Sequence, residues 1–126
     1  MEQTLNDTDF LVSQTDEKGK ILFANEDFCK IAGYSLEELI GKPHSIVRHP
    51  DMPHAAFKDL WDTIKSGKIW TGYVKNGTKN GNYYWVYATV YPNIACGESG
   101  HGYMSCRRKA SSDEIKTAEA LYKTMR

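Results

Sequence analysis

A chain of 126 residues, 40% hydrophobic and 25% charged, has the length and composition of one soluble globular domain with one core. Its 16 basic side chains balance its 16 acidic ones, so no overall field draws in nucleic acid or an anionic membrane. No apolar run nears the ~20 residues of a membrane span, and the polar, acidic start lacks a signal peptide's basic and apolar segments, which points to the cytoplasm.

Residues 11–15 are short and apolar-led, residues 16–20 form a polar turn containing Gly19, and residues 21–25 turn apolar again. That is the pattern of an antiparallel hairpin. Residues 26–34 put Phe28, Ile31 and Ala32 on a short helical face, with Gly33 placed to end it. Ser35 and Glu38 form a capping box for a second short helix, stopped by Gly41 and Pro43. The longest helix follows, with Asp51 as N-cap, Pro53 in the first turn and Gly67 after the last. Ala56, Phe57, Leu60, Trp61 and Ile64 share its apolar face.

The second half reads as strands. Residues 69–75 lead into a turn at residues 76–81, rich in Asn and Gly. Residues 83–91 then alternate, with Tyr84, Val86, Ala88 and Val90 on one face and Tyr83, Trp85, Tyr87, Thr89 and Tyr91 on the other. A loop through Pro92, Gly97 and Gly100 leads to a last strand at residues 102–107. Ser111, with Glu114 three residues on, opens a terminal helix bearing Ile115, Ala118, Leu121 and Tyr122 on one stripe.

This order predicts an α+β fold: a five-stranded antiparallel sheet with short helices on one face, plus a C-terminal helix. It leaves a ligand-sized space between sheet and helices. Cys29, Cys96 and Cys106 are too scattered for a disulfide framework or a zinc site and read as reduced thiols. No activated nucleophile, acid–base pair or metal constellation suggests an enzyme.

Residues 41–53 read GKPHSIVRHPDMP, a string that resembles the segment marking PAS domains of the bacterial aerotaxis receptor type. Ala56-Phe57, Leu60-Trp61, Trp70-Thr71-Gly72, Val74-Lys75-Asn76, Tyr84-Trp85-Val86 and Gly102-Tyr103-Met104-Ser105 continue the likeness. The resemblance divides the chain into an N-terminal cap segment at residues 1–10, a PAS sensor domain at 11–110 and a linker helix at 111–126. It implies noncovalently held FAD and an output in aerotaxis or energy taxis. The FAD contacts that it implies are Asn25, Arg48, His49, Asp51, Phe57, Trp70 and Asn76. Its implied partner is a chemoreceptor-type signalling domain, in cis or in trans; homodimerisation through the terminal helix or the aromatic stripe stays open.

Chemistry can be checked against that set. A flavin ring is a flat apolar plate with one hydrogen-bonding edge, and the Asn76 amide can donate and accept there at once. Counting back by twos from Asn76 gives Val74, Gly72 and Trp70 on the same face, an apolar wall with a gap at Gly72. An inward Ser105 would bring Arg107 inward with it. Arg48 offers a planar fork for phosphate, while Asp51 serves the helix as a cap or FAD as a ligand. Two other readings share the fold: a haem gas sensor using His44, His49 or His54, and a cofactor-free interaction module. The Asn-Cys-Arg type motif of blue-light flavin domains has no match.

Overall fold

Period-two alternation in three long segments dictates the sheet. In the computed structural model, which describes residues 2–94 and 102–125, five strands pair antiparallel in the order β2-β1-β5-β4-β3. They are β1 (Phe10–Asp16), β2 (Ile21–Ala24), β3 (Trp70–Gly77), β4 (Tyr83–Ile94) and β5 (Gly102–Lys109). One face packs against α1 (Glu26–Ala32), α2 (Leu36–Leu39), a 3₁₀ turn at His44–Val47 and α3 (His54–Lys65). The terminal helix, α4 (Ser112–Met125), lies against aromatic side chains of β3 and β4 on the other face.

Local chemistry explains most boundaries. Asp16 turns the first hairpin by accepting from the Lys18 and Lys20 backbone N–H groups, both at 2.9 Å. Gly33 ends α1 at φ 80°, a left-handed conformation that costs glycine nothing. Ser35 and Glu38 exchange both capping-box bonds, at 3.0 and 3.1 Å, as do Ser111 and Glu114 at 2.9 and 3.2 Å. The β3–β4 register sets Trp70 opposite Val90, Gly72 opposite Ala88, Val74 opposite Val86 and Asn76 opposite Tyr84. These residues face inward together, as their alternation requires.

Four expectations need correction. Asp51 does not cap α3: the helix starts at His54 with Pro53 in the cap position, and the Asp51 carboxylate instead accepts from Lys75 Nζ at 2.8 Å. The strand expected from Ile69 begins at Trp70 and runs on to Gly77; Ile69 is exposed, and the turn closes through Thr78, whose N–H donates to the Asn82 carbonyl at 2.8 Å. Pro92 lies within β4, where a register irregularity between Tyr91 and Ile94 accommodates a residue with no N–H to give the ladder. Leu121 is exposed, because only Ala118 and Tyr122 of the terminal stripe are fully covered. Cys96, Gly97 and Gly100 lie outside the described residues.

The outer face is held by polar as well as apolar contacts. Trp85 stacks on Tyr122 at 6.3 Å between ring centroids. The Tyr122 hydroxyl donates to the Tyr73 carbonyl, and the Tyr73 hydroxyl donates to Glu114. Arg108, on the outer face of β5, lies 3.5 Å from Glu114 and 4.5 Å from the Tyr87 ring centre. The Ser111 N–H and then the Tyr73 hydroxyl hold the Glu114 carboxyl down to about 2. Near the amino end, Gln3 N–H donates to the Tyr83 carbonyl and Leu5 is buried, so this segment also crosses the sheet.

Candidate functional site

The inner face and the helices enclose a cavity of about 280 Å³, near the lower end of the ~300–1,000 Å³ typical of ligand pockets. Val74, Ala88 and Val90 form its sheet wall, and Phe57, Leu60, Trp61 and Ile64 of α3 form the opposite one. The β1–β2 turn closes one side with Lys18 and Gly19. Pro43, His44, Ser45 and Arg48 line the side nearest the 3₁₀ turn.

Polar groups line the cavity on β3, on β5 and on this segment. Asn76 is 3% exposed, and its amide N–H₂ lies 3.5 Å from the Tyr84 hydroxyl, the outer limit of a hydrogen bond. The Arg48 backbone bridges to that of Asn76, which seats the segment before α3 on the free edge of β3. Its guanidinium lies 4.4 Å above the centre of the Phe57 ring, a cation–π arrangement.

Arg107 is the most heavily buried charge on the inner face, at 3% exposed. Its Nη2 donates to Ser13 Oγ and to His44 Nε2, both at 2.7 Å, and the guanidinium stands 4.8 Å over the Phe28 ring centre. Its other terminal nitrogen, Nη1, is buried with no partner. Burial brings Arg107 down to about 10, which still leaves it charged at neutral pH. Burial, and then the Arg107 charge, push His44 down to about 3, so its imidazole is neutral and Nε2 is an acceptor.

Of the residues expected to contact a cofactor, Arg48, Phe57, Asn76, Ser105 and Arg107 line the cavity together. The other four do not. Asn25 caps α1: its Oδ1 accepts from the N–H groups of Phe28 and Val12, each at 3.1 Å, while Nδ2 donates to the Phe10 carbonyl at 2.7 Å. Its polar atoms are committed to the backbone. His49 accepts the Asp51 N–H at 3.1 Å and packs edge-on to Tyr83. Asp51 pairs with Lys75. Trp70 donates from Nε1 to Asp59 at 2.9 Å, and its indole folds over Gly72: a Cβ there would stand 2.5 Å from Trp70 Cη2. The gap at Gly72 is therefore filled by Trp70 itself.

His44, weighed only as a haem ligand, lines the cavity, and Ser13 stands behind the lining through Arg107 and His44; neither was expected at a flavin site. Ser13 carried a readable signal, being a polar residue at an inward position of β1 beside Leu11. The two interactions at His44 Nε2 also occupy the lone pair that an axial haem ligand would use. Cys29 and Cys106 are free thiols, each raised by burial.

Asn25→Ala is expected to cost about 1–2 kcal/mol, the loss of an N-cap with an added strand contact. Ligand uptake per folded molecule should not change. Urea denaturation with a binding titration checks both; weakened uptake at unchanged stability would return Asn25 to the site.

Residues 21–103 match the PAS fold family. The chain is 49% identical over 121 residues to the aerotaxis receptor of Escherichia coli, covering 96% of this chain and 24% of that protein. It is 29% identical over 101 residues to the nitrogen fixation regulatory protein of Klebsiella oxytoca, covering 79% of this chain and 20% of the other. The chain thus spans a quarter or less of the length of these curated relatives. The dark structure of the blue-light photoreceptor Aureochrome1 LOV superposes with a TM-score of 0.72 at 19% identity, covering 92% of this chain and 85% of that one. At that identity the likeness is one of fold. With 83 consecutive residues matched by the family, about two thirds of the chain, the chain belongs to the PAS fold family.

Proposed function

We propose that this PAS domain binds a flavin, as FAD, and reports redox or oxygen state to a chemoreceptor-type signalling domain in aerotaxis or energy taxis. It acts in the cytoplasm, as a sensor rather than an enzyme, with its partner in the same chain or docked onto it. None of the described helices is long and apolar enough to cross a membrane.

The observation that carries this reading is the composition of the cavity. Aliphatic and aromatic walls end in one buried amide, Asn76, and one buried guanidinium with an unpartnered nitrogen, Arg107. A flat apolar ring with a hydrogen-bonding edge suits apolar walls that end in a buried amide and a buried cation. The volume suits the ring system alone, so the sugar and phosphates of FAD would leave past Arg48, whose fork suits a phosphate. The aerotaxis receptor's 49% identity supports the choice of signalling output.

Bound flavin supplies reversible electron exchange. The protein's part is to hold it: Val74, Ala88 and Val90 flank the ring, Asn76 and Ser105 address its polar edge, and Phe57 carries Arg48 to the exit. Reduction can move the domain only through contacts that differ between the two charge states. Asn76, Ser105 and Arg107 are the residues placed to make such contacts.

An absorption spectrum of the freshly purified protein, followed by anaerobic reduction and reoxidation in air, tests the reading. Flavin bands that bleach and return are expected, with FAD identified by mass after release. A colourless protein that takes up neither FAD nor FMN would overturn it.

A further inference from the structure

Among the described residues Arg107 takes part in no ion pair, although it is almost wholly removed from water. An isolated buried cation is expensive. What holds it is a set of neutral groups: His44 Nε2, Ser13 Oγ and the face of Phe28. Arginine can only donate, so Nε2 must accept and the His44 ring proton must sit on Nδ1. The Ser13 hydroxyl, 3.0 Å from Nε2, accepts from Arg107 and gives its own proton to the same nitrogen. Phe28 meets both His44, edge-on at 5.8 Å, and Arg107, so the three rings and planes fix one another.

Resting on the flavin reading, we propose that His44 is a positioning residue whose Nε2, with Ser13, fixes the Arg107 guanidinium at the cavity so that its charge raises the reduction potential of the bound ring. An electron entering the ring adds one negative charge until a proton follows it. A fixed cation in a site shielded from water favours that added charge. Without the acceptor on His44, Nη2 keeps only its bond to Ser13, the guanidinium is held less firmly and its field at the ring falls.

Anaerobic dithionite titration of the flavin-loaded protein against a reference dye tests this. His44→Leu should shift the reduction equilibrium toward the oxidised form by about tenfold or more, which is about 59 mV for a one-electron couple. His44→Gln, which keeps an acceptor, should recover most of the shift. Arg107→Gln should fall at least as far, and adding His44→Leu to it should change nothing further, since His44 acts through Arg107. A His44→Leu potential within about threefold of wild type, or a double variant whose shift is the sum of the singles, would overturn the proposal. If His44→Leu does not fold, Ser13→Ala removes the other acceptor and is read in the same way.

The imidazole nitrogens report independently of flavin. Nuclear magnetic resonance of the ligand-free protein should show His44 protonated on Nδ1 in the wild type and a mixture of tautomers in Arg107→Gln. A wild-type proton on Nε2 would overturn the positioning role. A wild type that takes up no flavin would sink the functional reading instead, leaving the tautomer to decide whether His44 holds the guanidinium.

Discussion

Phe28→Ala is expected to destabilise the domain by about 3–5 kcal/mol, among the largest effects of any single truncation here. Phe28 is completely buried on α1, and its ring serves two partners of different chemistry. It meets the His44 imidazole edge-on and stands under the Arg107 guanidinium. Truncation therefore leaves a cavity beside a buried charge, which adds the loss of a partly desolvated cation–π contact to the packing term. Phe28→Leu keeps most of the volume and should recover over half of the loss while still lacking the ring face. Equilibrium denaturation of the three proteins measures both steps. A loss below about 1 kcal/mol for Phe28→Ala would mean that the cluster collapses around the void.

Asn76→Ala should affect ligand binding in preference to folding. The protein itself uses the amide lightly: its bond to the Tyr84 hydroxyl is 3.5 Å long, and a contact at that distance contributes little. A ring with a carbonyl and an N–H would use both ends. Two net hydrogen bonds at about 0.5–1.5 kcal/mol each correspond to a loss of about tenfold or more in flavin affinity. Fluorescence titration with FAD gives the affinity and circular dichroism the melting curve. Equal losses of binding and stability would assign Asn76 to the fold alone.

The sheet was legible because its signal is repetitive. Tyr84, Val86, Ala88 and Val90 alternate without a break, and the strand opposite follows the same rule, so Val74, Asn76, Ala88 and Val90 could be read as one cavity wall. The capping boxes at Ser35 and Ser111 were equally plain, because both partners lie three residues apart. What failed depended on partners distant in sequence. Asp51 looks like a cap until Lys75, 24 positions away, is seen to claim it. Trp70 looks like a cavity wall until Asp59 draws its indole N–H toward α3 and the ring settles over Gly72. Asn25 illustrates the reverse case. Its local cap at Phe28 is a short-range pattern, and the resemblance assigned it elsewhere. The bond from Arg107 to His44 stayed hidden because the two lie 63 positions apart and no periodicity links a 3₁₀ turn to the last strand.

Arg107 and Arg108 are neighbours on β5, one facing the cavity and the other reaching Glu114 at the start of α4. A single peptide unit thus separates the buried charge from the anchor of the outer helix. Free-energy linkage between two such positions runs equally in both directions. Whatever a change of charge inside contributes to loosening α4, a protein that draws α4 away must return as an equal change in the affinity of the cavity for each charge state. Any partner that gripped the outer helix would then be no passive reader: by how firmly it held α4 it would shift the balance between the charge states of the cavity.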